Sequence, residues 1–263
     1  MADFAVIVVN YNTAILTGQT IRSFCQYHKE KDFELIVVDN NSHEDDLKKL
    51  REATKDLPKN FRLIESKTNL GFGRANNLAV SETQAKYLFF LNSDTITTEP
   101  LLPAFKECFE QNFKVGALAP TLYEDGERQA HAYGKFPTLL RLLRRSHDEI
   151  LTETADHRQV GWISGAAFAI RKDIFERVGG FGDEYFMYFE DIDLCKKVAL
   201  DGYESWVLKN IALTHLRGKS LKLSKDRRQL YFKSQDIFFK KYYGCISSTL
   251  LKIFRLPYLL FIN

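Results

Sequence analysis

The chain has 263 residues, 45% hydrophobic and 27% charged. That is the mix of an ordinary globular protein with room for a sizeable core, and it excludes a disordered chain, a collagen or a coiled-coil rod. The net charge of +3 hides an asymmetry: residues 219–263 hold 10 Lys/Arg against 2 Asp/Glu, a local charge of +8, while the rest holds 27 against 32, or −5.

Four short apolar runs open the chain. They are Phe4-Ala5-Val6-Ile7-Val8-Val9, Glu34-Leu35-Ile36-Val37-Val38, Arg62-Leu63-Ile64-Glu65 and Tyr87-Leu88-Phe89-Phe90-Leu91. Runs of this length read as strands buried on both faces. Helical patterns lie between and after them, over 16–27, 45–57, 74–84 and 99–112, the last with Pro100 in its first turn. Strand–helix alternation at this spacing predicts a doubly wound, mostly parallel α/β sheet. Regularity weakens over 122–160. It returns with Trp162-Ile163-Ser164-Gly165-Ala166-Ala167-Phe168-Ala169-Ile170. Short helices are expected over 173–178 and 191–200, and short strands over 203–208 and 211–215.

Three strands end in polar clusters: Asn10-Tyr11-Asn12, Asp39-Asn40-Asn41-Ser42 and Asn92-Ser93-Asp94-Thr95. Asn and Asp make good turns after strands, which accounts for any one cluster. Three at the carboxyl edge of an open sheet, where such folds bind ligands, point to a site. Gly71-Phe72-Gly73-Arg74-Ala75-Asn76 is a near miss of the dinucleotide fingerprint. It admits two readings, a close backbone approach to a ligand or a glycine turn before a helix. A P-loop ending at Gly218-Lys219-Ser220 is excluded, because Leu213 stands at its first glycine.

The densest cluster is Tyr185-Phe186-Met187-Tyr188-Phe189-Glu190-Asp191-Ile192-Asp193-Leu194. Carboxylates beside aromatic surface lose hydration, and their pKa rises toward values useful for a base. An acidic helix start explains one or two of these acids, but not the aromatic run before them. His215 ends a short strand; a lone His is more often structural than a ligand, but Asp94 near the same edge opens a second reading, a divalent cation held by a carboxylate and an imidazole.

In this order the segments resemble the inverting nucleotide-sugar glycosyltransferases of family 2, with the GT-A fold, and most of all their bacterial rhamnosyltransferase branch. The resemblance rests on Val8-Val9-Asn10-Tyr11-Asn12, Val37-Val38-Asp39-Asn40-Asn41-Ser42, Asn69-Leu70-Gly71-Phe72-Gly73 with Asn76-Asn77, and Leu91-Asn92-Ser93-Asp94-Thr95. It continues through Gly165-Ala166-Ala167-Phe168 with Ile170-Arg171, Val178-Gly179-Gly180-Phe181, Phe186 to Cys195, and His215 with Gly218 and Ser220. It implies that Asp39 reads the nucleotide base and that Asp94 meets the ribose and the metal-diphosphate. It implies further that Asp191 deprotonates the acceptor hydroxyl and that His215 is a late metal ligand. Asn92 departs from the family's full D-x-D, which has a carboxylate there. The implied donor site holds Asn10, Asn12, Asp39, Asn69, Gly71, Asn76, Asn92, Ser93 and Asp94. The donor-sugar or acceptor region holds Trp162, Gly165, Glu190 and Asp193.

The expected reaction is transfer of a sugar, L-rhamnose from dTDP-L-rhamnose as first choice, to a cell-surface polysaccharide or lipid-linked oligosaccharide, with Mg²⁺ or Mn²⁺ as cofactor. UDP-hexose or UDP-N-acetylhexosamine donors are the alternative. A nicotinamide oxidoreductase using Gly71 and Gly73, and a non-catalytic sugar-nucleotide or glycan-binding module, are more distant. Nothing points to nucleic acid. Residues 1–218 are expected to form the catalytic domain, with 1–120 the nucleotide-sugar half and 121–218 the catalytic half.

The four cysteines form no C-x-x-C pair, which suits a reducing compartment. Met1-Ala2-Asp3-Phe4 enters the first strand with no signal-peptide pattern, and no apolar run reaches about 18 residues. A cytoplasmic protein is therefore expected, peripheral on the inner face of the plasma membrane. The basic segment 219–263, rich in Phe, Tyr and Leu and interrupted by Pro257, is expected to lie on the membrane surface. For its first part, packing on the catalytic domain as a closing helix is an equal expectation.

Overall fold

The computed structural model describes residues 2–28, 33–57, 59–144, 150–216 and 225–260. Gly218, Lys219 and Ser220, singled out above, lie outside them. The first part of the chain follows the expected alternation: β1 (Phe4–Asn10), α1 (Ala14–Tyr27), β2 (Phe33–Asp39), α2 (Glu44–Thr54), β3 (Phe61–Glu65), α3 (Phe72–Val80) and β4 (Tyr87–Asn92). Val6, Ile7, Ile36, Val37, Phe89 and Phe90 are fully buried, as central parallel strands covered on both faces require. The edge strand β3 has no fully buried residue, and its exposed charged residues pair outward, Arg62 with Glu34 and Glu65 with Arg51.

Next come β5 (Thr95–Thr97), α4 (Leu102–Gln111) and β6 (Val115–Glu124). The helix expected over 99–112 starts at Leu102, and the proline of its first turn is Pro103. Glu99 lies before it because its Oε1 accepts the Ala212 backbone N–H at 2.8 Å, tying this stretch to a later strand. The irregular region contains β7 (Glu127–Arg128), β8 (Tyr133–Gly134), α5 (Leu139–Arg144), β9 (Thr152–Glu153) and β10 (His157–Val160). The ordered stretch from Trp162 holds β11 (Trp162–Ile163) and β12 (Ala167–Arg171), which belong to different sheets. Then come α6 (Lys172–Arg177), α7 (Glu190–Leu200), β13 (Glu204–His215) and α8 (Lys225–Leu260). β13 joins the two short strands expected there, with a register shift between Val207 and Ala212.

The large sheet has the order β3-β2-β1-β4-β12-β6-β13-β10-β9. It is parallel from β3 to β4 and becomes mixed at β12, which runs antiparallel to both β4 and β6. One sheet thus runs through both expected halves of the domain. The helix α8 is broken at Gly244, whose φ of +80° a glycine adopts without steric cost. Its second limb, 245–260, folds back on the first, 225–243: Arg255 reaches the Phe232 carbonyl, Gln235 and Asp236. Phe238, Phe239 and Leu251 of α8 share a second apolar cluster with Tyr185 and Phe189, so the first limb packs on the domain as a closing helix.

Candidate active site

Register brings the polar strand ends together. Asn10 of β1 lies opposite Asp39 of β2, and Val9 opposite Asn92 of β4. Asn10 is fully buried and organises this edge. Its Nδ2 donates to Asp39 Oδ1 (2.9 Å), Ser42 Oγ (3.0 Å) and Asp46 Oδ2 (3.1 Å). Its Oδ1 accepts from Thr17 Oγ1 (2.7 Å) and Thr13 Oγ1 (3.2 Å). Thr13 Oγ1 also lies 3.1 Å from Ser93 Oγ, joining the first and third clusters. Asn12 adopts a left-handed conformation (φ 55°), which Asn tolerates. From there its Oδ1 accepts the His43 N–H at 2.8 Å and its own N–H donates to Ser42 Oγ at 2.9 Å.

The second loop is built alike. Asn40 Nδ2 donates to Asn69 Oδ1 (3.0 Å) and the Gly71 carbonyl (3.2 Å), while Asn40 Oδ1 accepts the Leu70 N–H (2.8 Å). Gly71 has φ +80°, and a Cβ there would sit 2.2 Å from the Phe186 carbonyl oxygen. The next residue, Phe72, donates its N–H to that same oxygen at 3.1 Å. The glycine segment therefore seats the aromatic stretch before Glu190, which favours the turn reading over a ligand cradle. Asn76, expected among the donor-binding residues, is 1% exposed, and its Nδ2 donates to the Phe72 carbonyl inside its own helix.

Asp94 and His215 meet across the β5–β13 pairing, where His215 lies opposite Thr95. His215 Nδ1–H donates to Gln129 Oε1 at 2.9 Å, which turns Nε2 toward Asp94 Oδ1, 3.1 Å away. A carboxylate and an imidazole so placed fit a divalent cation shared with an anionic ligand. No group of three or more His, Cys, Asp or Glu side chains suited to a metal occurs among the described residues. The remaining ligands would be ligand oxygens and water.

Asp191 enters from α7. Its Oδ2 accepts the Gly165 N–H at 2.9 Å and its Oδ1 the Ile192 N–H at 2.8 Å. Gly165 lies in the three residues between β11 and β12, and the Asn92 N–H donates to the Ala166 carbonyl (2.9 Å), which brings this loop to the end of β4. Burial raises the Asp191 pKa, and the two backbone N–H groups oppose the rise. Glu190 is 6% exposed, and its Oε2 has no hydrogen-bond partner. Burial, with the Asp191 charge added, pushes it up to about 8. Asp191 is thus the carboxylate of the pair better equipped to hold charge.

Asp193, expected beside the acceptor, turns the other way. It is fully buried, and its Oδ1 accepts from Lys241 Nζ (2.8 Å), Tyr242 Oη (2.9 Å) and Tyr185 Oη (3.2 Å). It is an anchor for α8: three donors meet Oδ1, and the Lys197 ammonium lies 3.5 Å from Oδ2, which accepts no hydrogen bond, so the buried charge is held by hydrogen bonds on one oxygen and faces a cation at the other. Trp162 donates its indole N–H to the Lys135 carbonyl at 3.1 Å. Thr13, Thr17, Asp46, Gln129 and Ser234 were not singled out in the sequence. The acid three residues after His43 was a helix-start signal for Asp46, but nothing local marks Gln129 or Ser234.

The family model of glycosyl transferase family 2 matches residues 5–179. A rhamnosyltransferase (WbbL) of Escherichia coli K12 is 29% identical over 209 residues, covering 64% of this chain and 77% of that protein. An N-acetylglucosaminyl-diphospho-decaprenol L-rhamnosyltransferase of Mycobacterium tuberculosis is 24% identical over 215 residues, covering 73% and 69%. Among solved structures, a mannosyltransferase of Pyrobaculum calidifontis in complex with GDP-Man and Mn²⁺ superposes with a TM-score of 0.60 at 18% identity. That match covers 83% of this chain and 58% of the other, and it agrees in fold with the GT-A sheet described above. The chain belongs to glycosyl transferase family 2, with the GT-A fold, and is similar to that family's bacterial rhamnosyltransferases.

Proposed function

We propose that this glycosyltransferase moves L-rhamnose from dTDP-L-rhamnose, with inversion, onto a hydroxyl of a cell-surface polysaccharide or a lipid-linked oligosaccharide. The observation that carries this reading is a single sheet edge holding Asp39 in a saturated polar network, the Asp94–His215 pair and an Asp191 fixed by two backbone N–H groups. The rhamnosyltransferases similar to this chain support the choice of sugar.

In this reading Asp39 and the backbone around Asn12 and Ser42 bind the base, and the loop of Asn69 and Gly71 shapes the donor pocket. Ser93 and Asp94 meet the ribose and diphosphate. Asp94 and His215 would hold Mg²⁺ or Mn²⁺; such an ion neutralises charge that develops on the departing diphosphate. Asp191 takes the proton of the acceptor hydroxyl as that oxygen attacks the anomeric carbon, and the bond to the diphosphate breaks on the opposite face. One base and one in-line displacement give inversion without a carboxylate nucleophile. Glu190, Trp162 and Gly165 border the sugar region. Residues 1–120 form the nucleotide-sugar half and 121–218 the catalytic half.

The second limb of α8 supports docking on the inner face of the plasma membrane. Ile246 (79% exposed), Leu250, Ile253 and Phe254 lie at helical spacing with their side chains outward. Among the described residues no helix is long and apolar enough to cross a membrane.

The test is a donor screen with purified protein, following release of nucleoside diphosphate from dTDP-, UDP- and GDP-sugars. Preferential turnover of dTDP-L-rhamnose is expected. Turnover confined to UDP-hexose or UDP-N-acetylhexosamine keeps the chemistry and replaces the donor.

A further inference from the structure

Asp191 follows a strained piece of backbone. Tyr188 (φ 69°) and Phe189 (φ 67°) are consecutive non-glycine residues in the left-handed region, immediately before α7. Such residues carry backbone strain and persist only where their surroundings over-determine them. Two surroundings do so. On one side, Gly71 and Phe72 receive the Phe186 carbonyl, as described. On the other, the first limb of α8 covers the turn. Ser234, 4% exposed, donates its hydroxyl to the Met187 carbonyl at 2.7 Å. The Tyr231 ring lies edge-on to Tyr188 (5.7 Å) and Phe189 (5.3 Å), and Phe238 backs Phe189 at 5.5 Å.

Anchoring α8 does not require these contacts. Asp193 already fastens α8 through Lys241 and Tyr242, two residues beyond Asp191. Ser234 and Tyr231 act instead on the turn from which the Asp191 side chain departs. We infer that the first limb of α8 is a positioning element: Ser234 and Tyr231 hold the left-handed turn at Tyr188–Phe189 and thereby fix the carboxylate of Asp191 against the Gly165 and Ile192 amides. The catalytic use of that pose rests on the reading of Asp191 as the base. A reacting group displaced by about 1 Å loses on the order of 10²-fold in rate, so the turn just before α7 has leverage.

The Gly165 and Ile192 amides report the pose directly, since each donates to one oxygen of Asp191. Their hydrogen exchange is followed by NMR in the full chain, for Ser234→Ala, Tyr231→Leu and Ser234→Thr, with Asp191→Ala setting the fully released rate. The expected result is exchange about 10-fold faster at both amides in Ser234→Ala and Tyr231→Leu, unchanged amides in β1 and β4, and recovery in Ser234→Thr. Release of dTDP from dTDP-L-rhamnose, with water as acceptor, is expected to fall about 10-fold in kcat with KM nearly unchanged. Wild-type exchange at Gly165 and Ile192 in both Ser234→Ala and Tyr231→Leu overturns the inference. The underlying reading fails separately, by full turnover in Asp191→Asn.

Discussion

The edge proposed to bind the nucleotide and the corner proposed to hold the base are built on opposite plans. At the edge, Asn10, Asp39, Asn40 and Asn69 satisfy one another through loops that directly follow β1, β2 and β3, and the buried polar atoms there are paired. At the corner, Glu190 is buried with an oxygen unpartnered, and Asp191 is held by a loop 26 residues away in sequence. The edge gives left-handed backbone to Asn12 and Asn41, which tolerate it, whereas the corner forces it on two aromatic residues, Tyr188 and Phe189. A saturated network gives a rigid surface for a ligand of fixed shape. A corner with a raised carboxyl pair and stored strain is poised for proton transfer, and such features cluster where chemistry is done.

Four experiments break or sharpen this contrast. The largest effect belongs to the corner. Asp191→Asn keeps the shape but cannot take a proton, so turnover should fall by about 10²–10⁴ while donor affinity, measured by calorimetry, stays near wild type. Turnover close to wild type would remove Asp191 as base and direct attention to Glu190.

Second, chelation by EDTA should abolish turnover, and Mg²⁺ or Mn²⁺ should restore it. His215→Ala should raise the metal concentration needed for half-maximal activity, and Gln129→Leu should do the same more weakly, because it frees the imidazole that Gln129 orients. Full activity in chelator would mean that protein cations alone carry the leaving group.

Third, Asn10→Ala tests the edge. It deletes the donor shared by Asp39, Ser42 and Asp46 and the acceptor used by Thr13 and Thr17. Leaving such groups unpaired should cost about 1–3 kcal/mol in urea denaturation and weaken donor binding. A loss of activity without a loss of stability would contradict the network as a scaffold.

The smallest effect concerns Glu190 and stability. Its folded pKa of about 8 lies above the ordinary 4.5, so between these values the folded state holds a proton that the unfolded state has released. Raising the pH through this window therefore costs stability, and the loss is complete above the folded pKa. Glu190→Gln removes this component. Its Tm advantage over wild type should be absent near pH 4 and grow up to about pH 8. A constant Tm difference across that range would show that Glu190 is ionised throughout.

Much of the edge was legible in the sequence. Apolar runs ending in Asn or Asp announced β1, β2 and β4, and a parallel sheet places successive strand ends side by side, so Asn10, Asp39 and Asp94 could be named before any coordinates. The aromatic run before Glu190, Asp191 and Asp193 was equally visible as a cluster of carboxylates beside aromatic surface. The division of labour within it was not legible. Asp191 and Asp193 stand two apart at the start of one helix, about 200° around its axis, and the sequence does not say which face meets the substrate. Tertiary structure decides it: Asp191 meets the Gly165 loop, while Asp193 meets Lys241 and Tyr242 of α8. The same holds for Gly71, whose missing Cβ makes room for the Phe186 carbonyl, and for Ser234, which meets Met187 across 47 residues. Local patterning fixes where polar groups leave the strands, because period and turn chemistry act over a few residues. Which carboxylate is buried, paired or left bare depends on segments far apart in the chain, and only the packed fold brings them together.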